Sequence, residues 1–187
     1  MSDIKKYTGD IAIESIFSDD GRHRFILRRK YSSSRHQLND RKIVFILINP
    51  SYSDELLFDK TNRLASNIGV KDGYNEVVIL NIFSLVTKDT KTLNKELQSA
   101  NHRKNDLYIV EEVKKADRVI LAWGIDEKYK DRIDSVKQLI KNSGIENDKV
   151  FSISYKDKNG KVYNPAHLSM YITDNPPNFE IKKFDLD

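Results

Sequence analysis

Four short, continuous apolar runs constrain this chain more than any other feature: IVFILI (43–48), EVVIL (76–80), RVILAW (118–123) and KVFSIS (149–154). A strand with one wet face alternates apolar and polar residues, so unbroken runs indicate strands buried on both faces. Helical stretches separate them. Residues 57–69 form the first, 91–115 hold one or two more, and 127–142 carry Ile133, Val136, Leu139 and Ile140 at helical spacing before a stop at Gly144. Within 91–115, SANHRKND reads equally as a loop. The alternation predicts an α/β fold in which helices cover both faces of a central, mostly parallel four-stranded sheet, joined by right-handed crossovers.

The first forty residues follow a different pattern. IAIESIF and HRFILRRKY flank SDDG, a turn-forming cluster ending in glycine, which predicts a β-hairpin at the sheet edge. The polar segment SSSRHQLNDRK after it reads as a connector. With 187 residues, the chain has room for one core that buries about 70% of the unfolded surface. The expected organisation is one domain over 1–187: hairpin and connector (1–40), core (42–172) and C-terminal tail (173–187).

Composition excludes several chemistries. The chain has no Cys, which rules out disulfides, thiol nucleophiles and thiolate zinc sites, and its four His are scattered. Metal-free chemistry without a cofactor is the expectation. No run approaches the roughly 20 apolar residues of a membrane helix, and MSDIKKYTGD lacks the apolar stretch of a secretion signal, so a cytoplasmic protein is expected. A net charge of +4 fits a polyanionic partner without requiring one.

Ligands of open parallel sheets bind beyond the carboxyl ends of the strands. There the first run ends in Asn49-Pro50-Ser51, the second in Asn81 and the third in Trp123-Gly124, and the fourth leads into VYNPAHLSMY. Each element alone has a plain reading: Asn-Pro starts turns, and Gly after Trp ends a strand. Ser51 and Asp54 have capping-box spacing, which would make Ser51 a helix start whose backbone amides face the crevice. Their arrival on one rim points to a site.

Two resemblances rest on these residues. The order RFILRR, FILINPSYSD, DKTNR, VILNIFS, VILAWG, then a proline–histidine loop and a Tyr, resembles an uncharacterised bacterial and phage family known as domain of unknown function 1643, over residues 20 to 172. Shorter motifs resemble the uracil-DNA glycosylase superfamily. INPSYS is similar to the Ile-Asn-Pro-Gly motif of its mismatch-specific branch. VVILNIFS is similar to the strand whose asparagine reads the base, VILAWG to an apolar strand ending in Trp-Gly, and NPAHLS to the loop that presses on the DNA backbone.

The second resemblance implies a glycosylase-like three-layer sandwich and a set of roles. Asn49 would position the attacking water and Asn81 would hydrogen-bond a flipped base. Pro50 and Ser51 would border the base, Phe58 would stack on it, and Asn164 to Ser169 would form the strand-pinching loop. Arg63, Trp123 and Gly124 are candidates for the DNA backbone. In one alignment His167 falls where the superfamily has a Ser-Gly pair; in another it matches a histidine that stabilises the leaving base, and both stay open. Ser51 replaces a glycine, and His167 with Leu168 replaces smaller residues, so the substrate need not be uracil.

The residue types suit this chemistry. Cleaving an N-glycosidic bond gives an oxocarbenium-like sugar and an anionic base, which require donors aimed at the base and a placed water. No carboxylate stands at the first strand end to take the water's proton; Asp54 and Asp59 are the nearest. Arg28, Arg29, Lys30, Arg63, Lys128, Lys130 and Arg132 are available for phosphates, with a solvated surface as the plainer reading. The expected function is hydrolysis of a modified or damaged base from DNA, or action on a nucleotide. The alternatives are a non-catalytic nucleotide or modified-DNA binding module and a structural protein whose polar rim is turn chemistry.

Overall fold

A computed structural model describes residues 4–52, 56–168 and 179–186. The hairpin forms as expected: β1 (Gly9–Phe17) pairs antiparallel with β2 (Arg24–Ser33), and Gly21 takes a positive φ in the turn. The four apolar runs become β3 (Asn39–Leu47), β4 (Tyr74–Asn81), β5 (Arg118–Leu121) and β6 (Val150–Lys156). β3 pairs in parallel with β4 and β5, and β5 in parallel with β6.

The sheet is larger and more mixed than four parallel strands. β2 pairs antiparallel with β4, so the hairpin lies at the sheet edge as expected and adds two antiparallel strands to it. At the other end, β7 (Val162–Tyr163) and β8 (Glu180–Lys183) both pair antiparallel with β6. The eight-stranded order is β1-β2-β4-β3-β5-β6-β7, with β8 also on β6. The connector is shorter than expected, because Ser32 and Ser33 finish β2 and Asn39 to Lys42 begin β3.

Among the described residues, four α-helices connect these strands: α1 (Lys60–Lys71), α2 (Thr90–Lys95), α3 (Asn105–Lys114) and α4 (Lys130–Asn142). SANHRKND is mostly non-helical, with α3 starting at its last two residues. Gly144 follows α4 with φ 81°, a conformation that favours glycine at a helix end. Among the described residues, no helix is long and apolar enough to cross a membrane.

Two apolar clusters cover the two faces of the sheet. Ile43, Phe45, Leu47, Val77 and Ile79 pack with Ala65 and Ile68 of α1. Val44, Ile46, Val78, Leu80 and Trp123 pack with Ile109 and Val113 of α3 and Val136 and Ile140 of α4. Alternate residues of each strand thus serve opposite helix layers, the physical basis of the continuous apolar runs. α1 lies close against the sheet at Gly69, where an added Cβ would stand 2.5 Å from Val77 Cγ2.

A charged network ties the starts of β3 and β4 to α3. Glu112, buried on α3, receives hydrogen bonds from Arg28 at 2.7 Å and Lys42 at 2.9 Å. Glu76 lies 3.2 Å from Arg28 and 3.1 Å from Lys42. Burial alone would raise the Glu112 carboxyl, but the Lys42 hydrogen bond and the charges of Arg28 and Lys42 outweigh it and hold the group below the usual carboxylate range.

Candidate functional site

Beyond the ends of β3 and β4, on the face covered by α1, lies a cavity of about 250 Å³. It is lined by Arg24 from β2, Leu47 to Asn49 and Ser51 from the end of β3, and Asn81 from the end of β4. Thr87 to Thr90 from the following loop, Asp59, Thr61 and Asn62 from the start of α1, and His167 complete it. Strand parity explains the placement. Leu47 and Ile79 belong to the α1-side cluster, so Asn81, two residues beyond Ile79 in β4, faces the same side, and Asn49 follows just past the end of β3. The register sets Leu47 opposite Asn81, which brings the two strand ends level.

The pairing of β3 with β4 continues past both strands. Ile82 N–H donates to the Leu47 carbonyl at 2.8 Å, Phe83 N–H to Ile48 at 2.9 Å and Thr87 N–H to Pro50 at 3.0 Å. This holds Thr87 beside Asn49, whose Nδ2 donates to Thr87 Oγ1 at 2.8 Å and to the Pro50 carbonyl at 3.1 Å. Pro50 is buried and lies behind the cavity lining instead of in it, and Asn49 is a half-buried amide fixed in orientation.

Asn81 is 1% exposed, and its Oδ1 has no hydrogen-bond partner among the described residues. Leaving a buried amide oxygen unsatisfied costs on the order of 1–3 kcal/mol, a cost that a ligand's N–H would offset. The backbone of Asn81 is held from the opposite face of the sheet. Asn105 Nδ2 on α3 donates to the Asn81 carbonyl at 3.0 Å, and Arg132 Nε on α4 donates to the Ile82 carbonyl at 2.7 Å.

Asp59 supplies the carboxylate that the end of the first strand lacks. It is the N-cap of α1, accepting from Asn62 N–H at 2.7 Å, and it also accepts from the Ser51 hydroxyl. Ser51 is accordingly not the start of this helix, which begins nine residues later at Lys60; Asp54 lies outside the described residues. His167 completes the wall. Burial pushes its imidazole down to about 4, partly opposed by the negative charge of Asp59, so it is neutral at pH 7.

Other expected site residues fall elsewhere. Phe58 is exposed and does not line the cavity; the Arg29 guanidinium lies 3.9 Å from its ring centre. Trp123 belongs to the core on the α3–α4 face, so Trp123, Gly124 and Asn164 border a separate groove with Pro165 and Phe184. Asn164 Oδ1 accepts from Ser152 Oγ. Ser169 lies outside the described residues. Arg63 is exposed on α1 and does not line the cavity. Arg28, Lys30 and Arg132 are engaged in ion pairs with acidic residues, and Arg29 is buried.

Arg24, Asn62, Thr87 and Asp89 line the cavity without having been singled out from the sequence. Arg24 sits in the apolar RFILRR run with 2% exposure, a buried cation at the site's edge. Asp59 and Asn62 carry the only local signal, the D-x-x-N spacing of a cap within DKTNR.

The fold and site define an α/β protein with an open mixed sheet and a polar crevice at the carboxyl ends of adjacent parallel strands. This chain belongs to the family described as protein of unknown function (DUF1643), whose model matches residues 24–166. No curated protein and no solved structure matches it.

Proposed function

We propose that this protein takes a nucleobase into the Asn81 cavity and hydrolyses its N-glycosidic bond, acting on a modified or damaged base in DNA in the manner of the uracil-DNA glycosylase superfamily. The observation that carries this reading is the convergence of Asn49, Asp59, Asn81 and His167, from four separated stretches of chain, on one cavity. Its volume of about 250 Å³ is below the 300–1,000 Å³ of sites for larger ligands and suits a single planar ring system.

Each residue has a role in this reaction. Asn81 presents its buried amide to the ring edge, where the unpartnered Oδ1 accepts an N–H of the base. Asn49, fixed by Thr87, orients a water, and Asp59 accepts the water's proton. Neutral His167 donates an N–H to the oxygen on which negative charge develops. The bond from C1′ to the base nitrogen breaks with its electron pair leaving on the base. The water oxygen bonds to C1′, and its proton passes through Asp59 to the departing base.

The same crevice without hydrolysis would be a nucleotide or modified-DNA binding module. Asp59 supports the enzyme as a proton acceptor lining the same cavity as Asn49, and it serves either reading as the cap of α1. The test is incubation with DNA oligomers carrying a panel of modified bases, followed by alkali to reveal abasic sites. Cleavage that disappears in Asn49→Ala supports the enzyme. Tight binding without cleavage supports the module, and neither result across the panel refutes both readings.

A further inference from the structure

A second hollow, of about 460 Å³, opens beside the Asn81 cavity. Its lining includes Phe17 and Arg22 from the hairpin turn, Tyr52, Leu85, Val86 and Glu96. Ser51 lines both hollows. The loop after β4 divides between them, with Leu85 and Val86 facing the second and Thr87 to Thr90 the first. Backbone bonds hold this partition: Val86 N–H donates to the Arg22 carbonyl at 2.9 Å and Thr87 N–H to the Pro50 carbonyl at 3.0 Å.

The chemistry of the second hollow differs from that of the first. Leu85 and Val86 give it apolar walls, and two aromatic rings stand at its edge, Phe17 37% and Tyr52 67% exposed. Arg22 adds a cation, 2.8 Å from Glu96, in a pair whose side chains are 56% and 39% exposed. Such an exposed pair contributes little to stability, so Arg22 can exchange Glu96 for a phosphate at small cost. Exposed aromatic rings beside a cation form the surface on which bases of a single strand stack, whatever their identity.

We propose that this hollow receives the nucleotide adjoining the one whose base enters the Asn81 cavity, so that the ligand is a nucleic-acid strand and not a free nucleoside or mononucleotide. The proposal rests on the nucleobase reading of the first cavity and adds to it a subsite for the neighbouring nucleotide. Ser51 is the shared wall across which the sugar–phosphate backbone passes, and Arg22 meets the phosphate on the far side.

The test measures dissociation constants for single-stranded DNA pentamers that differ in the central base, and for the matching 5′-monophosphates. The pentamer with the preferred central base is expected to bind at least tenfold more tightly than its monophosphate. Tyr52→Ala and Arg22→Ala, both at exposed positions, are expected to weaken the pentamer roughly fivefold or more, and Arg22→Ala to reduce the salt dependence by about one charge. Equal affinities for pentamer and monophosphate overturn the proposal. So does pentamer binding that is lost in Asn81→Ala but unchanged in both other variants, a result that leaves the first-cavity reading intact. Absence of binding by every pentamer overturns both.

Discussion

The hydroxyl of Ser51 donates a hydrogen bond to the carboxylate of Asp59, joining the loop that leaves β3 to the first turn of α1. Asp59 thereby serves two ends, capping the helix and placing an acceptor in the cavity. The two functions separate by substitution, because asparagine caps a helix as well as aspartate but accepts no proton.

Asp59→Asn is therefore expected to reduce glycosidic cleavage by about 10²- to 10⁴-fold while leaving stability within about 0.5 kcal/mol. Asp59→Ala is expected to lose the same activity and about 1 kcal/mol of stability as well. Single-turnover cleavage and urea denaturation, measured on both variants, check the pair of outcomes. Full activity in Asp59→Asn would reduce the residue to a cap.

Asn81→Ala is expected to abolish base recognition with a stability change within about 1–2 kcal/mol, since the lost Oδ1 has no hydrogen bond to give up. Ligand binding by calorimetry and thermal unfolding measure the two effects. Unfolding of the variant would mean that the amide supports the fold instead of a ligand.

His167 makes the fold sensitive to acid. Its folded value of about 4 lies below the ordinary 6.5, so between these values the unfolded chain binds the proton that the folded chain refuses. Stability is complete above about pH 6.5 and is lost as pH falls to about 4, by up to about 3 kcal/mol. Denaturation series at several pH values, compared with His167→Gln, should show a shallower acid slope in the variant.

Glu112→Ala is expected to cost about 3 kcal/mol, because Arg28 and Lys42 lose the buried carboxylate that both contact. The network lies at the starts of β3 and β4, away from the cavity, so base affinity should be preserved wherever the variant is folded. Denaturation and binding isotherms on one preparation check both parts.

The layout of the strands was legible from the chain because buried parallel strands write their burial directly as apolar runs, and the hairpin because its turn carries SDDG. The outer strands were not. β7 is two residues long and β8 reads EIKK; each exists because β6 offers it an edge, a tertiary cause with no local trace. Asn49 and Asn81 were found because they end apolar runs.

What the runs could not reveal is parity and register. Trp123 ends its run much as Asn81 does, yet it faces the other helix layer, so strand ends that share a rim in sequence divide between two grooves in space. The helix expected over 57–69 starts at Lys60, so the Ser51 cap reading is the one that fails. Ser51 and Asp59 both head cap-like spacings, and only the position of α1 over the sheet selects the second. Arg24 escaped notice because a cation inside an apolar run reads as an edge charge, and its burial depends on β4 lying alongside β2.

The carbonyls of Asn81 and Ile82 are gripped by Asn105 and Arg132, which reach through from the far layer of helices. The end of β4 that carries Asn81 is thus anchored to α3 and α4, although neither helix borders the cavity. Substitutions at Asn105 or Arg132 would therefore loosen the end of β4 from behind, with no change to any residue that lines the cavity.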